Sequence, residues 1–259
     1  MAKKLGIILG SGGTRGFTHI GFLQAMAERG IKPDVMTGCS IGAVLGAAYL
    51  SGKTPAELKK IAFSLKQNDI VDFNFGLYKG LSLLRSVKMD KLLRKNIAAK
   101  TFEDLPIPFA TVATDLVSGK LVTFTEGDLI EALKATAGMP TIFSPVKKDG
   151  MILIDGGVLN RTPVAQAKDL GAEVTVAVDI LGKLPDYVEI DNIIQLATRT
   201  IDVADQRPTL VSERDKPDLM LIADLKSVNQ YVISDQQFCY DVGYELGISN
   251  ADKILELVG

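Results

Sequence analysis

The pentapeptide Gly38-Cys39-Ser40-Ile41-Gly42 constrains the fold of this chain more than any other stretch. It has the form G-x-S-x-G, follows a short apolar run, and leads into a helix-forming stretch of small and apolar residues. A serine on such a strand-to-helix turn is strained and exposes its hydroxyl, while the flanking glycines let the chain turn without clashes. The pattern predicts an α/β fold with Ser40 as candidate nucleophile. Alone, it also fits a turn without chemistry.

Composition excludes several classes of protein. Of 259 residues, 47% are hydrophobic and 23% charged, which is typical of a soluble globular α/β protein. The net charge of -2 and the absence of a clustered basic face exclude a nucleic-acid partner. Two cysteines, Cys39 and Cys239, exclude a disulfide framework. Because the N-terminus lacks the apolar core of a signal peptide, we expect a cytoplasmic protein.

Strand-like and helical runs alternate along the chain. Such alternation predicts one domain, residues 1–259, with a three-layer α/β/α architecture and a mostly parallel central sheet covered by helices on both faces. The stretch 68–85 is irregular and fits either a flap beside the site or a packing loop. We expect strands at 5–9, 35–39, 109–114, 120–124, 151–154, 174–178 and 218–222, and helices at 18–29, 41–50, from 55, 128–136, 163–170, 190–204 and at the C-terminus.

A glycine-rich loop, Gly12-Gly13-Thr14-Arg15-Gly16, follows the first strand and precedes a helix. Successive backbone N–H groups at a helix N-terminus form an anion-binding nest. A dinucleotide fits poorly, because Arg15 occupies the last glycine position of its fingerprint and no acidic residue ends the second strand. An oxyanion hole beside Ser40 explains the loop better. Arg15 adds charge there, holds the loop, or forms a structural salt bridge.

The base that activates Ser40 cannot follow the usual order of serine, acid and histidine, because the one histidine, His19, precedes Ser40. We expect a packing or hydrogen-bonding role for His19. The best candidate base is Asp155, which ends an apolar strand and is followed by Gly156 and Gly157. A shielded carboxylate there gains enough basicity to take the serine proton, although Asp-Gly is also common in plain turns.

Two other carboxylates and one thiol also lie near predicted strand ends. Asp115 and Asp179 are alternative bases, but neither precedes glycines that would let a substrate approach. Cys39 adjoins the nucleophile, and we expect it to be a small buried residue facing the opposite way.

The ordered motifs resemble the patatin-like phospholipase family over roughly residues 5–180. The resemblance rests on 12–16, 38–42 and 155–157, and further on 19–21, 113–115, 135–140, 143–145 and 159–164. It implies a Ser40–Asp155 dyad, an oxyanion hole at 12–16, and no metal or cofactor. Ser11 stands where many members have a third glycine, and Thr14 where alanine is more frequent. The part beyond Gly182 carries no motif and completes the fold.

The function predicted from the resemblance is hydrolysis of carboxylic esters of lipids through an acyl-enzyme. Two alternatives stay open: an acyltransferase with the same dyad, and a non-catalytic lipid-binding protein with the same fold. The expected partner is a lipid or acyl-ester substrate. We also expect transient contact with a membrane surface, through the apolar residues Phe73, Phe75 and Tyr78.

Overall fold

A computed structural model describes residues 2–70, 82–84, 87–182, 190–191, 193–205 and 213–259. The proposed lipid-facing residues 73–78 lie outside these ranges. The strands are β1 (Leu5–Leu9), β2 (Val35–Gly38), β3 (Ser82–Leu84), β4 (Phe109–Asp115), β5 (Lys120–Phe124), β6 (Thr141–Phe143), β7 (Val146–Lys148), β8 (Met151–Asp155), β9 (Val174–Asp179) and β10 (Leu219–Ile222). The helices are α1 (Phe17–Glu28), α2 (Ile41–Leu50), α3 (Pro55–Ser64), α4 (Gln67–Ile70), α5 (Val87–Asn96), α6 (Leu129–Thr136), α7 (Val164–Asp169), α8 (Ile193–Asp205) and α9 (Gln236–Val258).

A mixed eight-stranded sheet forms the centre of the described chain. Its order is β10-β9-β1-β2-β4-β8-β7, and β5 pairs with β4 outside this path. Strands β10, β9, β1, β2 and β4 are parallel, whereas β5, β8 and β7 join by antiparallel pairing. The predicted α/β class is confirmed. The antiparallel part lies on the side of the sheet that carries Asp155.

Helices cover both faces of this sheet, as the alternation of side chains along β1 shows. Leu5, Ile7 and Leu9 belong to the large core on one face. Ile8 belongs to a separate cluster with Val164 of α7 on the other face. Because successive side chains of a strand point to opposite faces, each face buries its own apolar set, and three layers result.

The local signals in the sequence place several elements to within a residue or two. Thr54 caps α3, since Glu57 N–H donates to its Oγ1 at 3.2 Å and Thr54 N–H donates to Glu57 Oε2 at 2.8 Å. β4 and β5 form the predicted strand pair. The sequence did not predict α5 or the short strands β3, β6 and β7. Among the described residues, no helix is long and apolar enough to cross a bilayer.

Candidate active site

Ser40 occupies a strained turn between β2 and α2. Its backbone has φ 52° and ψ -125°, which a residue with a side chain rarely adopts. The turn is held because Ser40 N–H donates to Thr136 Oγ1 at 3.0 Å. Strain of this kind persists only where the surroundings enforce it, and it is concentrated at functional sites. The predicted strand-turn-helix context of Ser40 is therefore present.

The glycines beside Ser40 permit close packing that a side chain would prevent. A Cβ at Gly42 would lie 2.1 Å from the carbonyl oxygen of Leu9, and one at Gly38 would lie 2.6 Å from the amide nitrogen of Ala43. The start of α2 therefore packs directly on the end of β1. This contact brings the glycine-rich loop that follows β1 next to Ser40.

Asp155 lies at the end of β8, where its buried carboxylate lines the same small cavity as Ser40, and the Ser40 side chain lowers the pKa of this carboxyl. Its Oδ1 accepts the Gly157 N–H at 2.8 Å. Burial is the largest influence on this carboxyl and raises its pKa to about 6. Ser40, the Gly157 N–H and Cys39 have the opposite, smaller effect. A carboxylate with this pKa is ionised at neutral pH and basic enough to take a proton from a hydroxyl.

Asp155 reaches the site through antiparallel pairing of β8, although the central sheet is predicted to be mostly parallel. Ala113 of β4 pairs with Asp155 of β8, while Thr111 of β4 pairs with Gly38 of β2. Strand β4 extends past the end of β2, and β8 runs back along it. The end of β8 therefore returns to the carboxyl end of β2, beside Ser40.

Cys39 is buried as predicted, but its side chain does not face away from the site. Its Sγ donates to Asp155 Oδ1 at 3.7 Å. The antiparallel strand β8 brings the Asp155 carboxylate within reach of the Cys39 side chain.

In the glycine-rich loop, some amides have partners and others have none. Thr14 N–H donates to the Gln230 carbonyl at 2.9 Å, and Arg15 N–H donates to the Gly12 carbonyl at 3.1 Å. The amides of Gly12 and Gly13 make no hydrogen bond within the described chain. Neither does the amide of Ile41, the residue after the serine, which serves as an oxyanion donor in related elbows.

The last two positions of the loop, Arg15 and Gly16, have structural contacts. The buried Arg15 guanidinium donates to the carbonyl of Val228 at 2.8 and 3.1 Å and to that of Leu181 at 3.0 Å. Of the three predicted roles of Arg15, holding the loop fits these contacts, because its hydrogen-bond partners among the described residues are carbonyls and not carboxylates. A Cβ at Gly16 would lie 2.4 Å from Ile41 Cγ1, so this glycine lets the loop pack against α2.

The alternative bases have other roles. Asp115 accepts hydrogen bonds from Ser118 and from backbone amides of its turn, which lower its pKa to about 2. Asp179 pairs with Arg161 at 3.0 Å. His19 is buried, its Nε2 donates to the Gly10 carbonyl at 2.8 Å, and burial lowers its pKa to about 4. It is therefore a neutral residue that holds the start of the loop, as expected.

Two cavities meet at Ser40. The first, about 270 Å³ in volume, has apolar walls from α1, α2, α3, α5 and the segment before β6. The second, about 40 Å³, contains polar groups, and its lining includes Ser40 and Asp155. Within the described part of the chain, no three side chains of the metal-ligating types gather into a metal site.

Sequence reasoning missed several residues of the site. Thr136 holds the Ser40 amide, and Asp202, Gln230 and Tyr231 line the second cavity. The last three belong to the part of the chain without a motif, and no local pattern distinguishes them. The one usable signal was the 135–140 stretch of the resemblance, which contains Thr136.

Comparison with protein families adds a decisive observation. The family model described as patatin-like phospholipase matches residues 7–168, more than half of the chain. The chain belongs to the patatin-like phospholipase family. The match includes the glycine-rich loop, the Ser40 turn and Asp155, so all three motifs lie within the family domain.

Similar sequences agree with this membership. An uncharacterised NTE family protein of Mycobacterium tuberculosis is 37% identical over 181 residues, which cover 70% of this chain and 50% of that protein. The human patatin-like phospholipase domain-containing protein 6 is 29% identical over 183 residues, covering 69% of this chain and 13% of that protein. The chain thus spans half, or much less, of the length of these curated relatives.

Solved structures share the fold at low sequence identity. VipD from Legionella pneumophila superposes with a TM-score of 0.62 at 14% identity, covering 100% of this chain and 67% of that one. ExoU of Pseudomonas aeruginosa, in its complex with SpcU, gives a TM-score of 0.51 at 15% identity, covering 98% and 52%. At these identities the likeness shows the fold alone.

Proposed function

We propose that this protein is a serine acyl hydrolase that cleaves carboxylic esters of lipids, with Ser40 as nucleophile and Asp155 as base. The observation that carries the proposal is the strained Ser40 in the same small cavity as a buried carboxylate whose pKa is raised to about 6. An activated serine needs an adjacent base within hydrogen-bond reach, and Asp155 supplies it without a histidine. Family membership supports the choice of a lipid ester.

In the acylation step, Ser40 Oγ attacks the acyl carbonyl while Asp155 takes its proton. The carbonyl oxygen becomes an oxyanion, for which the unpaired amides of Gly12, Gly13 and Ile41 are the proposed donors. The ten-residue helix α2 starts at Ile41, and its positive end favours the same charge. The tetrahedral intermediate collapses, the ester C–O bond breaks, and Asp155 returns the proton to the leaving alkoxide.

Deacylation repeats these roles with water in place of the serine. Asp155 takes a proton from water, the resulting hydroxide attacks the acyl-enzyme carbonyl, and the proton returns to Ser40 Oγ as the acid leaves. None of these steps uses a group beyond the chain and water.

The apolar cavity is the proposed site for the acyl chain. Its volume of about 270 Å³ lies below the range of roughly 300–1,000 Å³ that is usual for sites of drug-sized ligands. It therefore fits one acyl chain better than a whole diacyl lipid. Val44 of α2 and Leu92 of α5 lie in its wall, and Ser40 lies at its edge.

The two alternative functions are an acyltransferase and a non-catalytic lipid-binding protein, and they differ from a hydrolase in the products formed. An acyltransferase would pass the acyl group to an added alcohol, so product partitioning between water and alcohol separates it from a hydrolase. A lipid-binding protein would not react at Ser40. Transient contact with a membrane surface remains part of the proposal, because the substrate is a lipid.

The test measures hydrolysis of p-nitrophenyl esters from acetate to palmitate by the wild type and by Val44→Phe. We expect the larger side chain to lower kcat/KM for the long esters at least about tenfold, through lost burial of the chain, and to leave the acetate unchanged. Val117→Phe is the matched control, because Val117 is exposed on the β4–β5 turn. Equal losses along the whole series would contradict an acyl site in this cavity, and no hydrolysis by the wild type would contradict the function.

A further inference from the structure

The small polar cavity has a wall that the proposed chemistry does not yet use. Its lining includes Ser40, Asp155, Gly12 and Gly13 of the proposed catalytic site, and also Asp202, Gln230 and Tyr231. A cavity of about 40 Å³ exceeds the roughly 10–15 Å³ that one water needs, so it accommodates a small polar group. Both cavities open on Ser40. With the acyl chain in the apolar cavity, the polar cavity is available for the alcohol part of the ester.

The carboxylate of Asp202 is held in a fixed position on this wall. Tyr231 Oη donates to Asp202 Oδ1 at 2.7 Å, and Gln230 Nε2 donates to the same oxygen at 2.8 Å. The Gln230 carbonyl in turn accepts the Thr14 N–H of the glycine-rich loop. The loop beside Ser40 and the Asp202 carboxylate are thereby connected through one residue.

The second oxygen of this carboxylate has spare hydrogen-bonding capacity. Both bonds fall on Oδ1, and within the described chain Oδ2 accepts none. Oδ2 is also not one of the unpartnered side-chain atoms that are sealed from solvent. An ionised carboxylate accepts about four hydrogen bonds, so a ligand hydroxyl would fill an open position.

The charges around Asp202 favour a neutral hydroxyl over a cationic group. Arg15 and Arg199 both act on the carboxylate and lower its pKa, while burial, the larger influence, raises it. Because two positive side chains already balance its charge, Asp202 does not require a cation from a ligand. Its open acceptor position is best matched by an O–H group.

We propose that Asp202 is a specificity-determining residue for the leaving alcohol, an inference that rests on the proposed hydrolase function. Its Oδ2 accepts a hydrogen bond from a hydroxyl that neighbours the scissile ester oxygen, while the acyl chain occupies the apolar cavity. The favoured substrates are then esters of polyols in which a hydroxyl beside the ester is free. An ester at that neighbouring position has no O–H to donate and is too large for this cavity.

The test compares two esters of one acid that differ only in hydroxyls: 1-monooctanoylglycerol and propyl octanoate. We expect the wild type to hydrolyse the glycerol ester with a higher kcat/KM than the propyl ester. Asp202→Asn keeps the oxygen that accepts from Tyr231 and Gln230 but replaces Oδ2 with a donor. This substitution should lower the preference about tenfold or more, mainly through the glycerol ester.

Two further variants separate recognition from folding. Tyr231→Phe keeps the ring but removes one of the two hydrogen bonds to Asp202 Oδ1. It should give a smaller loss of the same preference. Asp241→Asn changes an exposed aspartate of α9 and should leave the preference unchanged. An unchanged ratio in Asp202→Asn, or a wild type without preference, would overturn the role of Asp202 while hydrolysis itself stands. A wild type that cleaves neither ester would instead overturn the proposed function.

Discussion

The two parts of this chain contribute to the candidate site in different ways. The motif-bearing part, up to Gly182, contains the glycine-rich loop, Ser40 and Asp155 at the ends of β1, β2 and β8. The described C-terminal part contains no motif, yet α8 and the turn around Gln230 form a wall of the polar cavity. The proposed chemistry therefore depends on local motifs, whereas the proposed selectivity depends on long-range contacts.

The largest expected effect tests the chemistry of the motif-bearing part. Ser40→Ala should lower kcat/KM for a p-nitrophenyl ester about 10⁴-fold or more, because no nucleophile replaces it, and Asp155→Asn should lower it about 10³-fold. Both are measured by steady-state kinetics on folded protein. Ser64→Ala and Asp149→Asn, which change exposed residues, are the matched controls and should retain full activity. A fully active Asp155→Asn would refute the dyad.

A smaller effect is expected where the two parts meet. Arg15→Met removes the hydrogen bonds to the carbonyls of Val228 and Leu181 and leaves the Gln230 turn attached to the loop through Thr14 alone. We expect kcat/KM to fall about tenfold to a hundredfold, together with a weaker preference for the glycerol ester. Kinetics on both octanoate esters measure the two effects. Wild-type values for both would show that Arg15 is not needed to position the C-terminal wall, the part of the polar cavity formed by Asp202, Gln230 and Tyr231.

The smallest expected effect concerns stability and compares a buried carboxylate from each part. Because the pKa of Asp155 is raised in the folded protein, folding favours its protonated form. The resulting stabilisation of the fold is fully present below the ordinary pKa of 3.8 and is lost as pH rises through about 6. Asp155→Asn should therefore stabilise the fold more at pH 8 than at pH 5, by on the order of 1–3 kcal/mol. Asp202→Asn should show a smaller difference, because Arg15 and Arg199 offset burial there.

Urea unfolding of the wild type and both variants at the two pH values measures this difference. A gain in stability that is the same at both pH values would show that ionisation of Asp155 does not lower the free energy of unfolding. A larger pH dependence for Asp202→Asn than for Asp155→Asn would reverse the comparison between the two parts.

The sequence predicts the fold class and the candidate dyad because their signals are local. Gly38, Gly42 and Gly13 are required by close backbone contacts, and Gly12 and Gly16 by close contacts with the side chains of Ile180 and Ile41. Such contacts leave glycines at fixed spacings. The direction of β8 could not be predicted, because the pairing of Ala113 with Asp155 joins residues far apart in sequence. Cys39 was misplaced for the same reason.

The C-terminal wall could not be predicted at all. Asp202, Gln230 and Tyr231 are ordinary polar residues in their own segments, and they acquire a site only through contacts with the distant loop at Thr14 and Arg15. Such contacts depend on side chains that meet across the fold, and they leave no periodic or spaced pattern.

The most direct test of the Ser40–Asp155 dyad is the rate of covalent labelling by a fluorophosphonate as a function of pH, with the modified residue located by peptide mapping. We predict a single label on Ser40, a labelling rate that rises through about pH 6 as Asp155 ionises, no label in Ser40→Ala, and slow labelling with no such rise in Asp155→Asn. A label that survives Ser40→Ala, or an unchanged pH profile in Asp155→Asn, would contradict the dyad.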